Sequence, residues 1–259
     1  VTGASSGIGE ASALRLAEKG FRVFGTSRSA DAEGPEGVEM LQLDVTDDAS
    51  VEACVAEVLE RAGRIDVLVN NAGFGIFAAG EETSLEEARA IFEVNVFGAL
   101  RVAQAVLPGM RERGSGRIIS IASGAGIVGV PFEALYSATK FAIRGMSESM
   151  RLELRPFGVH VCTVDPGFTK TNFEDAGRLP DEPIGAYDEA RRSFLDAISE
   201  HFETGMTADH VGRKVAEVAT KASPAAHNAV GSDTVQAELG RRFAPRGLLD
   251  WVVRTKFGQ

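Results

Sequence analysis

Cysteine is scarce in this 259-residue chain: Cys54 and Cys162 are the only two, in no C-x-x-C pair or other ligand spacing. That excludes a disulfide scaffold, and two buried thiols in a reducing compartment, the cytoplasm, are expected. Histidine is sparse as well. His160, His201, His210 and His227 are scattered, without an H-x-x-x-H pair or a carboxylate cluster, so no metal site is predicted. Basic charge is the minority sign, with 27 Lys and Arg against 37 Asp and Glu and a formal net charge of −10. Nucleic acid is a poor partner for such a surface, although a local group of donors can still hold an anionic nucleotide. Long apolar runs are missing too. The longest uncharged stretch, 118–132, is too short to cross a bilayer and is broken by glycines and Pro131, so no membrane span is predicted.

What is present suits an ordinary globular fold: 44% hydrophobic and 25% charged residues, enough for one domain over 1–259 with a real core. Apolar, β-branched runs at 21–26, 38–43, 65–69, 117–121 and 159–164 read as strands. They are continuous rather than alternating, as strands buried on both faces are. Helical patterns occupy 7–19, 48–61, 84–113 and 132–154, and a further helix at 208–222 precedes a weak strand at 228–230. This alternation predicts an α/β fold, a parallel sheet with helices on both faces. Two segments stand apart. Residues 172–206 carry prolines, glycines and charges. From about 232 a C-terminal extension mixes Arg241, Arg242 and Arg246 with Leu248, Leu249, Trp251 and Val252.

The chain opens on Gly3, Ser5, Ser6, Gly7, Ile8 and Gly9 in a G-x-x-x-G-x-G spacing that runs into a helical pattern. Glycines let backbone approach a pyrophosphate, and a helix N-terminus offers free N–H groups and a positive dipole end. Only Val1 and Thr2 precede Gly3, so upstream residues are expected to complete the first strand. Asp44, beside Val45, follows a strand and can accept from an adenine amino group or serve a helix N-terminus. Asn70, Asn71, Ala72 and Gly73 follow the 65–69 strand, either as a turn or at the carboxyl edge where open sheets bind ligands. The strand at 21–26 leads into Ser27 and Arg28, with no carboxylate until Asp31. An acid there would hold a ribose 2′-hydroxyl, and an arginine suits a 2′-phosphate. Arg28 therefore favours NADP(H), with NAD possible.

At the other end of the candidate site, Ser123 follows a strand, and Tyr136 and Lys140 stand at i, i+4, on one helix face. A free phenol has a pKa of about 10, too high for ready proton exchange near neutrality. A nearby ammonium should lower it. Tyr136 can then exchange a proton with a ketone or alcohol oxygen that Ser123 holds. Asn95 can organise a water relaying protons to Lys140. A Tyr–Lys pair alone is common on helix surfaces; the ordered set is not.

That set, the glycine turn with Asn70 to Gly73, Asn95, Ser123, Tyr136, Lys140 and Pro166-Gly167, resembles the short-chain dehydrogenase/reductase family over roughly residues 1–173. The resemblance implies a single Rossmann-type doubly wound domain with a seven-stranded parallel sheet. It implies Asn95, Ser123, Tyr136 and Lys140 as a catalytic tetrad, with Lys140 also holding the nicotinamide ribose. Asn71 would support the central strands, and Pro166, Gly167 and Thr171 would face the nicotinamide carboxamide. Homodimers or homotetramers, paired through the 84–113 and 132–154 helices, are implied as well. The 131–136 and 155–159 stretches are similar to the 17β-hydroxysteroid and retinol dehydrogenase branch. A small-molecule carbonyl or alcohol substrate follows, with Phe173, Leu179, Tyr187, Phe194 and Leu195 lining an apolar pocket or simply packing a lid. Two other readings stay open. One is reduction of a 3-oxoacyl thioester, with Arg144, Arg151 and Arg155 as a docking patch; the other is a catalytically idle NADP(H)-binding regulator.

Overall fold

Continuous apolar strands must be covered on both faces, and the amphipathic segments between them supply the cover. The computed structural model describes residues 1–171, 173 and 177–259; Asn172 and residues 174–176, part of the 172–206 segment, lie outside the described residues. The strands are β1 (Val23–Ser27), β2 (Val38–Gln42), β3 (Val67–Asn70), β4 (Gly116–Ile121), β5 (Val159–Pro166), β6 (Thr169–Lys170), β7 (Met206–Thr207) and β8 (His227–Val230). The helices are α1 (Gly7–Glu18), α2 (Asp48–Ala62), α3 (Leu85–Phe92), α4 (Ala99–Arg113), α5 (Ala134–Leu154), α6 (Asp188–Thr204), α7 (Ala208–Thr220), α8 (Ser232–Phe243) and α9 (Arg246–Lys256).

β1 pairs with β2, and β3, β4, β5 and β8 form a second ladder in that order, all parallel. Residues 1–4 join the two. The Thr2 N–H donates to the Val69 carbonyl, Ala4 N–H to Thr26 and Thr26 N–H to Val1. With that segment in the gap, the sheet has the seven positions that the resemblance implies. On one face α1 and α7 bury Ala13, Leu16, Val211 and Val215 against Val69, Ile119 and Val164. On the other, α2 and α4 bury Val51, Cys54, Val102 and Val106 against Leu68, Ile118 and Val161. Each fully buried aliphatic side chain contributes about 1.5–3 kcal/mol, so the two layers hold the strand ends rigidly. The free thiols of Cys54 and Cys162 are buried in separate clusters.

Two local readings need correction. The pattern at 84–113 predicts one helix, but a π-helical segment, Glu93–Gly98, separates α3 from α4. Its wider turn lets Asn95 leave the helix face and bond to the backbone of Phe74. The 85–113 run has the length to cross a membrane and holds an 18-residue window of mean hydropathy 1.5; the core helix of a folded domain has the same length and composition, and 44% of that window is buried. The helix expected from 132 begins at Ala134, because Phe132 adopts a left-handed φ of 57°.

A third cluster caps the carboxyl edge of the sheet. It gathers Phe77, Phe132, Phe194, Ile198 and Phe257 from the 74–79 loop, the turn before α5, α6 and the chain's last turn. Its flank is pinned by Arg191 on α6, which pairs with the buried Glu82 carboxylate. Glu82 also accepts from the N–H groups of Ala79 and Ile184 at 3.0 and 2.8 Å.

Candidate active site

A cavity of about 810 Å³ opens along the carboxyl ends of the parallel strands, from the first turn of α1 to the aromatic cluster. Every residue that the sequence singles out for cofactor or catalysis lines it except Gly9, Asn70 and Asn95.

The nucleotide half is built on the 3–9 turn. Gly3 and Gly7 hold left-handed φ values of 65° and 57°. Gly9 sits where a Cβ would come within 2.0 Å of the Gly3 carbonyl oxygen, so the turn closes on itself only without a side chain there. Asn71 locks it from the neighbouring strand: its Nδ2 donates to the carbonyls of Thr2 and Gly3, both at 3.0 Å. Thr2 Oγ1 accepts in return from the N–H groups of Asn71 and Ala72. Ser6 precedes α1 without capping it through its side chain, so the first-turn amides face the cavity free for an anion. Asp44 accepts from Thr46 N–H and Oγ1 through one oxygen, which holds its carboxyl below the usual carboxylate range. The cap of α2 is Asp47 instead, leaving Asp44 to the cavity. Arg28 stands exposed at the rim. These donors, in this order, fit a dinucleotide.

In the reacting half, Ser123 follows β4, accepts from the Ala125 N–H at 3.1 Å, and lies near enough to the Tyr136 hydroxyl on α5 to favour its phenolate. Lys140, one turn further along, is buried and donates to the Ile121 carbonyl at 2.9 Å. Its Nζ lies 5.4 Å from the Tyr136 ring centroid. The expected lowering of the tyrosine pKa by that ammonium is not found. Burial and then Glu133 push the phenol above its ordinary value, and only Ser123 opposes them. Lys140 is itself lowered to about 8, because burial disfavours its charge more than Asp165 supports it. Asn95 donates to Phe74 O at 2.9 Å and to Thr139 Oγ1 at 3.2 Å. Thr139 Oγ1 donates to the Tyr136 carbonyl. Asn95 thus braces the tyrosine's own turn of helix.

The apolar wall differs from the sequence expectation. Of the five residues proposed for it, only Phe173 lines the cavity. Phe194 is fully buried behind it, Tyr187 donates to Glu81, Leu195 packs within the cluster and Leu179 is solvent-exposed. The rest of the wall comes from Phe74, Phe168 and Phe202 and, at the C-terminus, from Leu249, Val253 and Phe257. No motif marks these positions; only the apolar spacing of the tail hinted at a buried face. Glu133, three residues before Tyr136, was also missed, although an acid at that spacing from the tyrosine is visible in the sequence. The Arg144 docking role fails too: its guanidinium turns inward to the buried Asp165 at 2.6 Å and to Glu238 at 2.5 Å. Arg151 donates to the Pro224 carbonyl.

Residues 1–180 match the family model described as short chain dehydrogenase. The 3-ketodihydrosphingosine reductase of Bacteroides thetaiotaomicron is 39% identical over 89% of this chain and 86% of its own length. The 17-beta-hydroxysteroid dehydrogenase type 1 of Mus musculus is 42% identical over 73% of this chain; the match spans 58% of that relative. Among solved structures, a short-chain dehydrogenase from Streptomyces avermitilis superposes with a TM-score of 0.84 at 35% identity, covering 100% of this chain and 96% of the other. A serine dehydrogenase complexed with NADP+ superposes with a TM-score of 0.76 at 29% identity, over 89% and 92%.

Proposed function

The chain belongs to the short-chain dehydrogenase family of oxidoreductases, and on that premise we propose that it transfers a hydride between NADP(H) and a ketone or secondary alcohol on an apolar molecule. The observation that carries this reading is the Ser123–Tyr136 hydroxyl pair at the junction of the polar and aromatic halves of one cavity. The nicotinamide, when bound, supplies or accepts the hydride. The α1 amides would hold the pyrophosphate, Asp44 the adenine edge and Arg28 the 2′-phosphate. Ser123 orients the carbonyl oxygen. Tyr136 keeps its proton in the buried site and gives it up as negative charge develops on that oxygen. Lys140, lowered to about 8, is placed to hold or pass a proton near neutrality.

The NADP+ of the serine dehydrogenase and the exposed Arg28 both support NADP(H). The 3-ketodihydrosphingosine named for one relative and the steroid named for the other suit an aromatic-walled cavity. A homo-oligomer paired through the 84–113 and 132–154 helices is supported by Phe97, in the π-helical segment, and Leu152, on α5, which are exposed at 49% and 70%. The test is NADPH consumption with a panel of hydrophobic ketones, 3-ketodihydrosphingosine and a 17-ketosteroid included. Tyr136→Phe is expected to lower kcat by about a hundredfold or more; full activity in that variant would sink the mechanism.

A further inference from the structure

Among the described residues, two acids of the cavity wall have no task in the hydride-transfer reading: Asp233, which accepts from the Phe168 N–H, and Glu133, which has no such partner. It is 5% exposed, lines the cavity beside Tyr136 and, among the described residues, its carboxyl has neither a hydrogen-bond donor nor a cation paired with it. The other buried acids among the described residues are matched. Glu82 has Arg191 and two backbone amides, and Asp165 has Arg144, Thr163 and Asn228. Nor does Glu133 cap the helix that it precedes: α5 carries no side-chain cap bond. The left-handed turn at Phe132 buries that ring against Phe194, at 5.5 Å between centroids, and delivers the next residue to the cavity. The nearest basic group on the same helix, Lys140, is turned away to the Ile121 carbonyl.

A buried carboxyl without a partner is costly, and a cation brought by a ligand removes that cost. We propose that Glu133 is a specificity residue and that the ketones preferred here carry a protonated amine a few bonds from the carbonyl, with an apolar tail beyond. One helical turn separates Glu133 from Tyr136, so one small head group can engage both. The carboxylate accepts a charge-assisted hydrogen bond from the ammonium while the tyrosine meets the carbonyl oxygen, and the phenylalanine wall takes the tail. Burial lifts the empty-site carboxyl to about 8, in keeping with an acid that gains its charge partner only when a ligand arrives.

This inference rests on the ketone-reductase reading, and the experiment separates the two. Purified enzyme with NADPH is given a long-chain 2-amino-3-ketone, its N-acetyl derivative, the 2-hydroxy ketone and the plain ketone of equal length, and kcat/KM is compared. The amino ketone is expected to exceed each of the others by about tenfold or more, and Glu133→Gln to reduce that preference by a similar factor. Equal values for the amino and N-acetyl ketones in the wild-type enzyme overturn the proposal without recourse to a variant. So does a preference for the hydroxy ketone, or a ratio unchanged in Glu133→Gln. Tyr136-dependent reduction of the plain ketone with no amine preference removes Glu133 alone. Reduction of none of the four removes the ketone-reductase reading, and this inference with it.

Discussion

Arg28 is a single exposed guanidinium at the cavity rim, and its planar donor fork suits a phosphate monoester far better than a ribose hydroxyl. Arg28→Ala is expected to raise KM for NADPH about tenfold or more while NADH moves by about twofold or less. Equal losses for both cofactors in steady-state kinetics would take Arg28 out of this role. Residues of this kind were legible from sequence because a small set of side chains must recur in one order for the chemistry to work. Ser123, Tyr136 and Lys140 belong to that set. The charge states were not legible. Spacing alone suggested that Lys140 would acidify Tyr136, whereas burial and the neighbouring Glu133 raise the phenol, and burial lowers the amine. Desolvation is a property of the packed surroundings, and a linear motif says nothing of how deeply it will be covered.

At the scale of elements, the 3–9 turn and α1 form one device whose geometry leaves no room for a methyl group at Gly9. Gly9→Ala would place carbon 2.0 Å from the Gly3 carbonyl oxygen and 2.5 Å from Asn71 Nδ2. Since one of these obstacles is backbone, the turn must shift. A loss of about 1–3 kcal/mol in stability is expected, together with a weakened dinucleotide Kd. Chemical denaturation and fluorescence titration would report the two; wild-type binding in Gly9→Ala would contradict the role given to the turn. The regular strands and helices were readable from periodicity because core burial enforces it. Three elements escaped. The π-helical break at Glu93–Gly98 depends on the Asn95–Phe74 bonds, the start of α5 on the Phe132 conformation, and the wall from α9 on the path of the tail. Each is decided by contacts between residues far apart in sequence.

Over the whole molecule, Glu133 and Lys140 give stability a pH dependence of opposite signs. The folded state keeps a proton on Glu133 up to about 8, against an ordinary value of 4.5. Between those values the folded state binds more protons than the unfolded chain, so stability falls as pH rises. Lys140 gives up its proton at about 8 when folded and at 10.5 when unfolded. There the unfolded chain binds more protons, so stability rises again with pH. Urea midpoints are expected to decline toward about pH 8 and recover above it, with the declining limb flattened in Glu133→Gln. A limb of undiminished steepness in that variant would contradict the buried, unpaired carboxyl. The two halves of the cavity also come from different stretches of chain. Proton handling sits on sheet ends and helices before residue 145, and much of the aromatic wall on residues beyond 165. Descent can therefore redraw the diet of such an enzyme by drift in its later third while the reaction is inherited intact. Kinship measured over the first 180 residues then traces the ancestry of the chemistry more faithfully than that of the substrate.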